Sequence, residues 1–206
     1  MSVLICFDLG GVLLRICRSW AEGCEAAGVE PREHRIEPLE QERFGELVDR
    51  FQRDELGVEA FHGALSELLG GVWSPPEVAR IDRAWIRGPY LGTRELVEAL
   101  RGAGHTTACL SNTSRSHWER LLADPAVAAL DHQHASHLLG LVKPDPRIYE
   151  AFEADVGLPG EEIVFFDDLP ANVDAALARG WDAVRIDHRH ETVPQMRAAL
   201  HERGLL

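Results

Sequence analysis

The side chains best suited to chemistry fall at four points: Asp8, Ser111 with Asn112, Lys143, and the pair Asp167-Asp168. All but Lys143 directly follow short apolar runs, at 3–7, 106–110 and 163–166. In open parallel sheets the carboxyl ends of the strands are where loops converge and ligands bind. Asp8 would then stand beside Asp167 and Asp168, and adjacent carboxylates repel unless a cation or a shared proton intervenes. A hard divalent ion on oxygen ligands, Mg²⁺, meets that need. Ser111 is expected to open a helix beginning near Asn112, offering a hydroxyl and backbone N–H groups to an anion. Lys143 is the only lysine among 21 Lys+Arg residues. A position that keeps lysine among so many arginines is one where a compact ammonium serves better than a planar guanidinium. Metal, helix N-terminus and ammonium together describe a phosphoryl site.

The elements that must position these groups can be read from the pattern around them. A fourth apolar run, 183–186, ends at Asp187. All four runs are short and unbroken, as in strands buried on both faces of a parallel sheet. Helical segments separate them: 91–101, 148–156 after the capping pair Asp145-Pro146, and 171–179 closed by Gly180. The alternation predicts an α/β fold with a doubly wound, Rossmann-like parallel sheet. Residues 15–90 break the rhythm. They hold no convincing strand, and 39–55, 58–69 and 75–87 read as amphipathic helices. The expected division is a core of residues 1–14 and 92–206 with an all-helical insertion at 15–91.

Four segments carry a family resemblance. They are Phe7-Asp8-Leu9-Gly10-Gly11-Val12-Leu13, Leu110-Ser111-Asn112-Thr113, Lys143-Pro144-Asp145-Pro146, and Phe166-Asp167-Asp168-Leu169-Pro170-Ala171-Asn172. In this order they resemble the four motifs of the haloacid dehalogenase-like hydrolase superfamily, over nearly the whole chain. The insertion resembles the small α-helical cap of that superfamily's first subclass. The Ser-Asn-Thr and Phe-Phe-Asp-Asp versions look most like those of bacterial α-D-glucose-1-phosphate phosphatases.

The resemblance implies a Mg²⁺-dependent phosphatase of small phosphorylated metabolites, with sugar phosphates favoured. Asp8 would be the nucleophile and carry an aspartyl-phosphate. Mg²⁺ would bind Asp8, the Gly10 carbonyl and Asp168, with Asp167 close to the metal. Ser111, the Asn112 amide and the Gly10-Gly11 loop would hold the substrate's phosphate. Lys143 would neutralise charge on Asp8 and the phosphoryl group, and Asn172 would support the metal-side loop.

One departure bears on mechanism. Phosphatases of this superfamily usually carry a second Asp two positions after the nucleophile, which protonates the leaving group; here that position is Gly10. An acidic leaving group such as an anomeric hydroxyl would need less help, which suits a sugar 1-phosphate. A residue of the insertion or its approach (Arg15, His34 and His62 are candidates) or a water could take over. A slow or silent site with a ligand-binding role is the third outcome. A metal-independent 2-haloacid dehalogenase also lacks the second Asp, but would gain nothing from Asp167-Asp168.

Composition narrows the partners. The formal net charge of −13 works against nucleic acid and anionic membranes, and no apolar run approaches the length of a spanning helix. The opening apolar run is too short for a signal peptide and lacks a basic leader. Cys6, Cys17, Cys24 and Cys109 show no metal-binding spacing. Cys6 and Cys109 lie in apolar runs where a thiol acts as a small hydrophobe. The expectation is a reduced, cytoplasmic protein whose partner is a small phosphate ester; oligomeric state is left open. His132, His134 and His137 lack companion ligands and read as packing or polar residues. Trp20, Trp73 and Trp85 read as core of the insertion.

Overall fold

The structure, a computed structural model, describes residues 3–33 and 38–206. The chain opens with β1 (Leu4–Phe7) and β2 (Leu14–Ile16), then runs through α1 (Trp20–Ala27), α2 (Pro38–Gln52), α3 (Val58–Leu68) and α4 (Pro75–Ala84). It returns through β3 (Ile86–Pro89) into α5 (Thr93–Gly102), β4 (Thr106–Ser111), α6 (Arg115–Leu122), α7 (Pro125–Ala128) and β5 (His132–Ala135). The remainder is α8 (Ser136–Leu139), α9 (Pro146–Val156), β6 (Ile163–Asp167), α10 (Pro170–Ala178), β7 (Asp182–Arg185) and α11 (Thr192–Glu202).

Five strands form a parallel sheet in the order β5-β4-β1-β6-β7. Successive strand residues point to opposite faces, so each apolar run feeds two cores. Ile5, Phe7, Val164 and Phe166 pack with Leu96 and Leu100 of α5 and Met196 and Leu200 of α11. Leu4, Cys6, Ile163 and Phe165 pack with Ile148 and Phe152 of α9 and Ala176 of α10. Helices on both faces are why these strands read as unbroken apolar runs. The insertion's helices enclose a third cluster that includes Cys24, Phe51, Phe61, Leu65, Val78 and Ile81.

β1 lies mid-sheet, with Phe7 opposite both Cys109 of β4 and Phe166 of β6. The Phe7 and Phe166 rings stack at 5.6 Å, and the Asp8 N–H donates to the Phe166 carbonyl at 2.8 Å. This register delivers Asp8, Ser111 and Asp167 to one edge of the sheet.

Three features differ from the reading of the sequence. β2 and β3 pair as an antiparallel ribbon at the base of the insertion, where no strand was expected. They are three and four residues long and contain Arg15, Gly88 and Pro89, too little for an alternating pattern to show. β5 is a fifth strand of the main sheet whose first half, His132-Gln133, is polar and only partly buried. The helix after Ser111 begins at Arg115 rather than near Asn112, and Ser114, not Ser111, caps it by accepting from the His117 N–H. By contrast Asp145-Pro146 starts α9 as expected, the Asp145 carboxylate accepting from the Arg147 N–H. All four cysteines are free and buried, and burial pushes the Cys109 thiol up to about 12. Among the described residues no helix is long and apolar enough to cross a membrane.

Candidate active site

Lys143 is the centre of the site. It is 4% exposed, and its Nζ lies 3.1 Å from Asp8 Oδ1 while donating to Asp167 Oδ2 at 2.7 Å. Burial opposes the ammonium's charge, but Asp167 and Asp8 together outweigh it and hold the lysine well above its ordinary range. The ammonium also stands 5.2 Å from the centroid of the Phe165 ring.

Backbone and side-chain contacts fix this cation on both sides. The Asn112 amide group donates to the Lys143 carbonyl and accepts from the Lys143 N–H, each at 2.8 Å. The residue after β4 therefore clamps the lysine's backbone through its side chain, a role beyond the phosphate contact expected of the Asn112 amide. Asp167 is fully buried and saturated. Besides Lys143, its oxygens accept from the Leu169 N–H at 2.8 Å and from Asn172 Nδ2 at 3.1 and 3.0 Å. The Asn172 carbonyl in turn accepts from the Tyr149 hydroxyl at 2.9 Å.

Asp8 is 8% exposed, and burial pushes its carboxyl up to about 6 against the pull of Lys143, with Asp167 and Asp168 adding to the rise. Asp168 is 4% exposed. Its Oδ2 lies 2.8 Å from an Arg18 guanidinium nitrogen and 3.0 Å from His188 Nδ1. These two neighbours approach from the start and the end of the chain and belong to none of the four motifs.

Whether the residues suit a divalent cation can be tested on the oxygens. Asp8, Asp167 and Asp168 can present one oxygen each within 4.8 Å of one another, the only such cluster among the described residues. Asp8 Oδ1 and Asp168 Oδ2 are buried and make no hydrogen bond, their charge being met only by ion pairs to Lys143 and to Arg18 and His188. Buried acceptors without hydrogen bonds are costly. Two such oxygens beside a saturated third carboxylate fit a hard, oxygen-seeking ion.

Gly11 keeps this space open. It sits at φ +88°, and a Cβ there would lie 1.9 Å from an Arg18 nitrogen and 2.7 Å from Asp168 Oδ2. Its N–H is used on the Leu14 carbonyl at 2.7 Å. Gly10 lies between Asp8 and that turn, and a Cβ there would press on Ile16 Cδ1 at 3.1 Å. Ser111 is 3% exposed at the end of β4.

Of the side chains considered as replacements for the missing acid, His34 lies outside the described residues. Arg15 pairs with Glu191, donates to the Pro89 carbonyl at 2.9 Å and covers the Tyr90 ring. His62 is 3.1 Å from Asp82 Oδ2. Asp82 also meets His117, whose Nε2 is 3.3 Å from Asp82 Oδ1 and 2.8 Å from its carbonyl. Burial opposes the Asp82 charge, but these two imidazoles outweigh it and hold the carboxyl down at about 2. His134 lies 2.7 Å from an Asp155 oxygen and packs on Phe152, and His137 packs edge-on to Trp118.

A cavity of about 250 Å³ adjoins the site. Gly10 and Ser111 to Ser114 line it on the sheet side; α2, α3 and α4 supply Phe44, Val48, Phe61, Leu65 and Asp82. Trp20 and Trp85, expected only as core, also line it, whereas Trp73 is buried as expected.

Residues 3–180 match the family model described as haloacid dehalogenase-like hydrolase. Over 165 residues the chain is 29% identical to the phosphatase MT3486 of Mycobacterium tuberculosis (strain CDC 1551 / Oshkosh), covering 75% of this chain and 76% of that protein. It is 25% identical to an (S)-2-haloacid dehalogenase of Pseudomonas putida, covering 94% and 88%. Among solved structures it resembles the HAD family enzyme bt-2542 of Bacteroides thetaiotaomicron, in an Asp-to-Ala mutant complexed with magnesium and inorganic phosphate. The TM-score is 0.72 at 20% identity, with 92% of this chain and 96% of that one covered.

Two outcomes follow from the charge cluster. Lys143→Met leaves Asp8 and Asp167 buried without their cation, so urea unfolding at neutral pH should show a loss of about 3–5 kcal/mol; a loss below about 1 kcal/mol would contradict the arrangement. Asp8 has a folded value of about 6 against an ordinary 3.8. The protonated form thus favours the fold, and the stability it contributes below the ordinary value is lost as pH rises through about 6. In metal-free protein Asp8→Asn should therefore raise Tm at pH 8 and leave it nearly unchanged at pH 4. A variant no more stable than the parent at pH 8 would refute this.

Proposed function

Because the chain belongs to the haloacid dehalogenase-like hydrolases, we propose that it is a Mg²⁺-dependent phosphatase of small phosphate esters, working through an aspartyl-phosphate on Asp8. The observation that carries this reading is the buried cluster of Asp8, Asp167 and Asp168, whose oxygens come within 4.8 Å of one another, with the Lys143 ammonium on Asp8. Asp8, Asp168 and the Gly10 carbonyl would hold Mg²⁺, whose charge lets a carboxylate approach an anionic phosphate. Asp167 is committed to Lys143 and Asn172, and so keeps the ammonium in place near that ion.

Asp8 attacks phosphorus, and its new bond forms as the ester P–O bond breaks. Lys143 offsets charge on the nucleophile and on the transferring group. The Ser111 hydroxyl and the Asn112 N–H would hold phosphate oxygens, while the Asn112 side chain keeps Lys143 at the correct depth. The leaving oxygen takes its proton from solvent; water then attacks phosphorus, the Asp8–phosphoryl bond breaks, and both protons of that water leave with the released phosphate as the Asp8 carboxylate is restored. The helices α1 to α4 act as a cap over the reacting centre.

Gly10 supplies no proton to the leaving group, and Arg15 and His62 are engaged elsewhere. The site therefore favours esters whose leaving oxygen needs little protonation, a condition that an anomeric hydroxyl and a phenol both meet. The phosphatase of Mycobacterium tuberculosis and the magnesium–phosphate complex of the Bacteroides enzyme support the same chemistry. A second reading, carbon–halogen hydrolysis without metal, draws on Gly10 and on the Pseudomonas putida relative. The buried cluster of Asp8, Asp167 and Asp168 counts against it.

Phosphate release from a panel of esters that includes phenyl phosphate and α-D-glucose 1-phosphate tests the proposal. Release should require Mg²⁺, stop with EDTA, and fall on the order of 10⁴-fold or more in Asp8→Asn. Silence with Mg²⁺ bound would leave a ligand-binding role. Chloride release from 2-chloropropionate in the presence of EDTA would establish the dehalogenase instead.

A further inference from the structure

The cavity that Gly10 and Ser111 border is built for a particular kind of ester. Its walls from the insertion are aromatic and aliphatic: Phe44, Val48, Phe51, Phe61 and Leu65, closed by Trp20 and Trp85. At about 250 Å³ it is a small pocket, below the usual range of about 300–1,000 Å³ for drug-sized ligands.

Several polar groups on its rim are already paired, while the Gln52 side-chain amide and the Thr113 hydroxyl, which also line it, have no partner among the described residues. The Asp82 carboxylate is engaged by His62 and His117. The Asn112 side chain is used on the Lys143 backbone, the Thr113 N–H on Ser136 Oγ, and the Ser114 hydroxyl on Ser116 and the His117 N–H. Ser136 also donates to the Gln52 carbonyl, joining the end of α2 to this rim. Among the cavity-lining residues one buried side-chain polar atom lacks a partner, the indole Nε1 of Trp20. It could serve a single acceptor.

A hexose brings several hydroxyls, each bonded to water before binding. Seated among these rings, any hydroxyl that does not reach Gln52, Thr113 or Trp20 would find no partner, and a desolvated hydroxyl without one is penalised heavily. An apolar group loses nothing there and gains by leaving water. We propose that the organic part of the substrate is a compact apolar, aryl-bearing group with few polar atoms, and not a sugar. This deepens the phosphatase reading of the same site and rests on it. It also replaces the expectation of a sugar phosphate, because motif residues hold the phosphate whereas the insertion's side chains meet the rest of the ester.

The test compares esters with matched leaving groups. Benzyl phosphate and glucose 6-phosphate both release primary alcohols, so their difference reports the pocket. With Mg²⁺ present, kcat/KM should be at least tenfold higher for benzyl phosphate, and Val48→Thr should narrow the gap by lowering that ester alone. Equal or better turnover of glucose 6-phosphate would overturn the inference. Calorimetric titration of the Mg²⁺-loaded protein with benzylphosphonate and methylphosphonate reads the cavity without turnover. The benzyl compound should bind at least tenfold tighter, and equal affinities would overturn the proposal. If that gap is present while no ester releases phosphate, the apolar pocket stands and the phosphatase reading alone fails.

Discussion

A single buried ammonium governs this structure. Lys143 stands between Asp8 and Asp167, and without it two desolvated carboxylates would face each other in a water-poor niche. Much of the surrounding detail keeps that cation in register. Asn112 grips its backbone from β4, Asn172 and the Leu169 N–H hold its partner Asp167, and the Phe165 ring lies beside it. Asp168 is left outside this arrangement, with one oxygen that makes no hydrogen bond and is met only by ion pairs to Arg18 and His188. The imbalance is useful. It creates a place where another cation is welcome and where a nucleophilic carboxylate is held ready.

The sheet explains why these groups meet. β1 is the central strand, and its pairing with β4 and β6 sets Phe7 against Cys109 and Phe166. One residue later along β1 comes Asp8, and one residue later along β6 comes Asp167. The strand cores have no choice of register, because a slip by one position would turn Ile5 and Phe7 out of one apolar cluster and Leu4 and Cys6 out of the other. Packing on both faces of the sheet thus fixes which residues stand at its edge. The insertion follows different physics: it carries its own apolar cluster and is tied to the core by an antiparallel ribbon and by polar contacts such as Ser136 to Gln52, His117 to Asp82 and Arg115 to Asp54.

Much of the site was legible in the amino-acid sequence, for a physical reason. Asp8, Ser111 and Asp167-Asp168 each interrupt an apolar run, so strand geometry alone groups them. Lys143 was visible as the lone lysine, and Asn172 through the motif that contains it. What escaped notice depends on distant or local detail. Arg18 and His188 reach Asp168 only because the chain folds them there. β5 hides behind two polar residues, and the ribbon of β2 and β3 is too short to show a period. The start of α6 was misplaced because Ser111 and Ser114 are both credible caps, and only the backbone path decides between them. The cavity could not be foreseen at all, since apolar positions in an amphipathic helix face a core in most proteins, and here several of them face a vacant space.

The central claim is that Asp8 and Asp168, with Lys143 and Asp167 already matched, form the seat of a divalent ion. Anomalous diffraction from crystals soaked in Mn²⁺ tests it most directly. The account predicts one strong peak in contact with oxygens of Asp8 and Asp168, with Asp167 still bound by Lys143 and Asn172. A peak elsewhere, or no peak at this edge of the sheet, would contradict it.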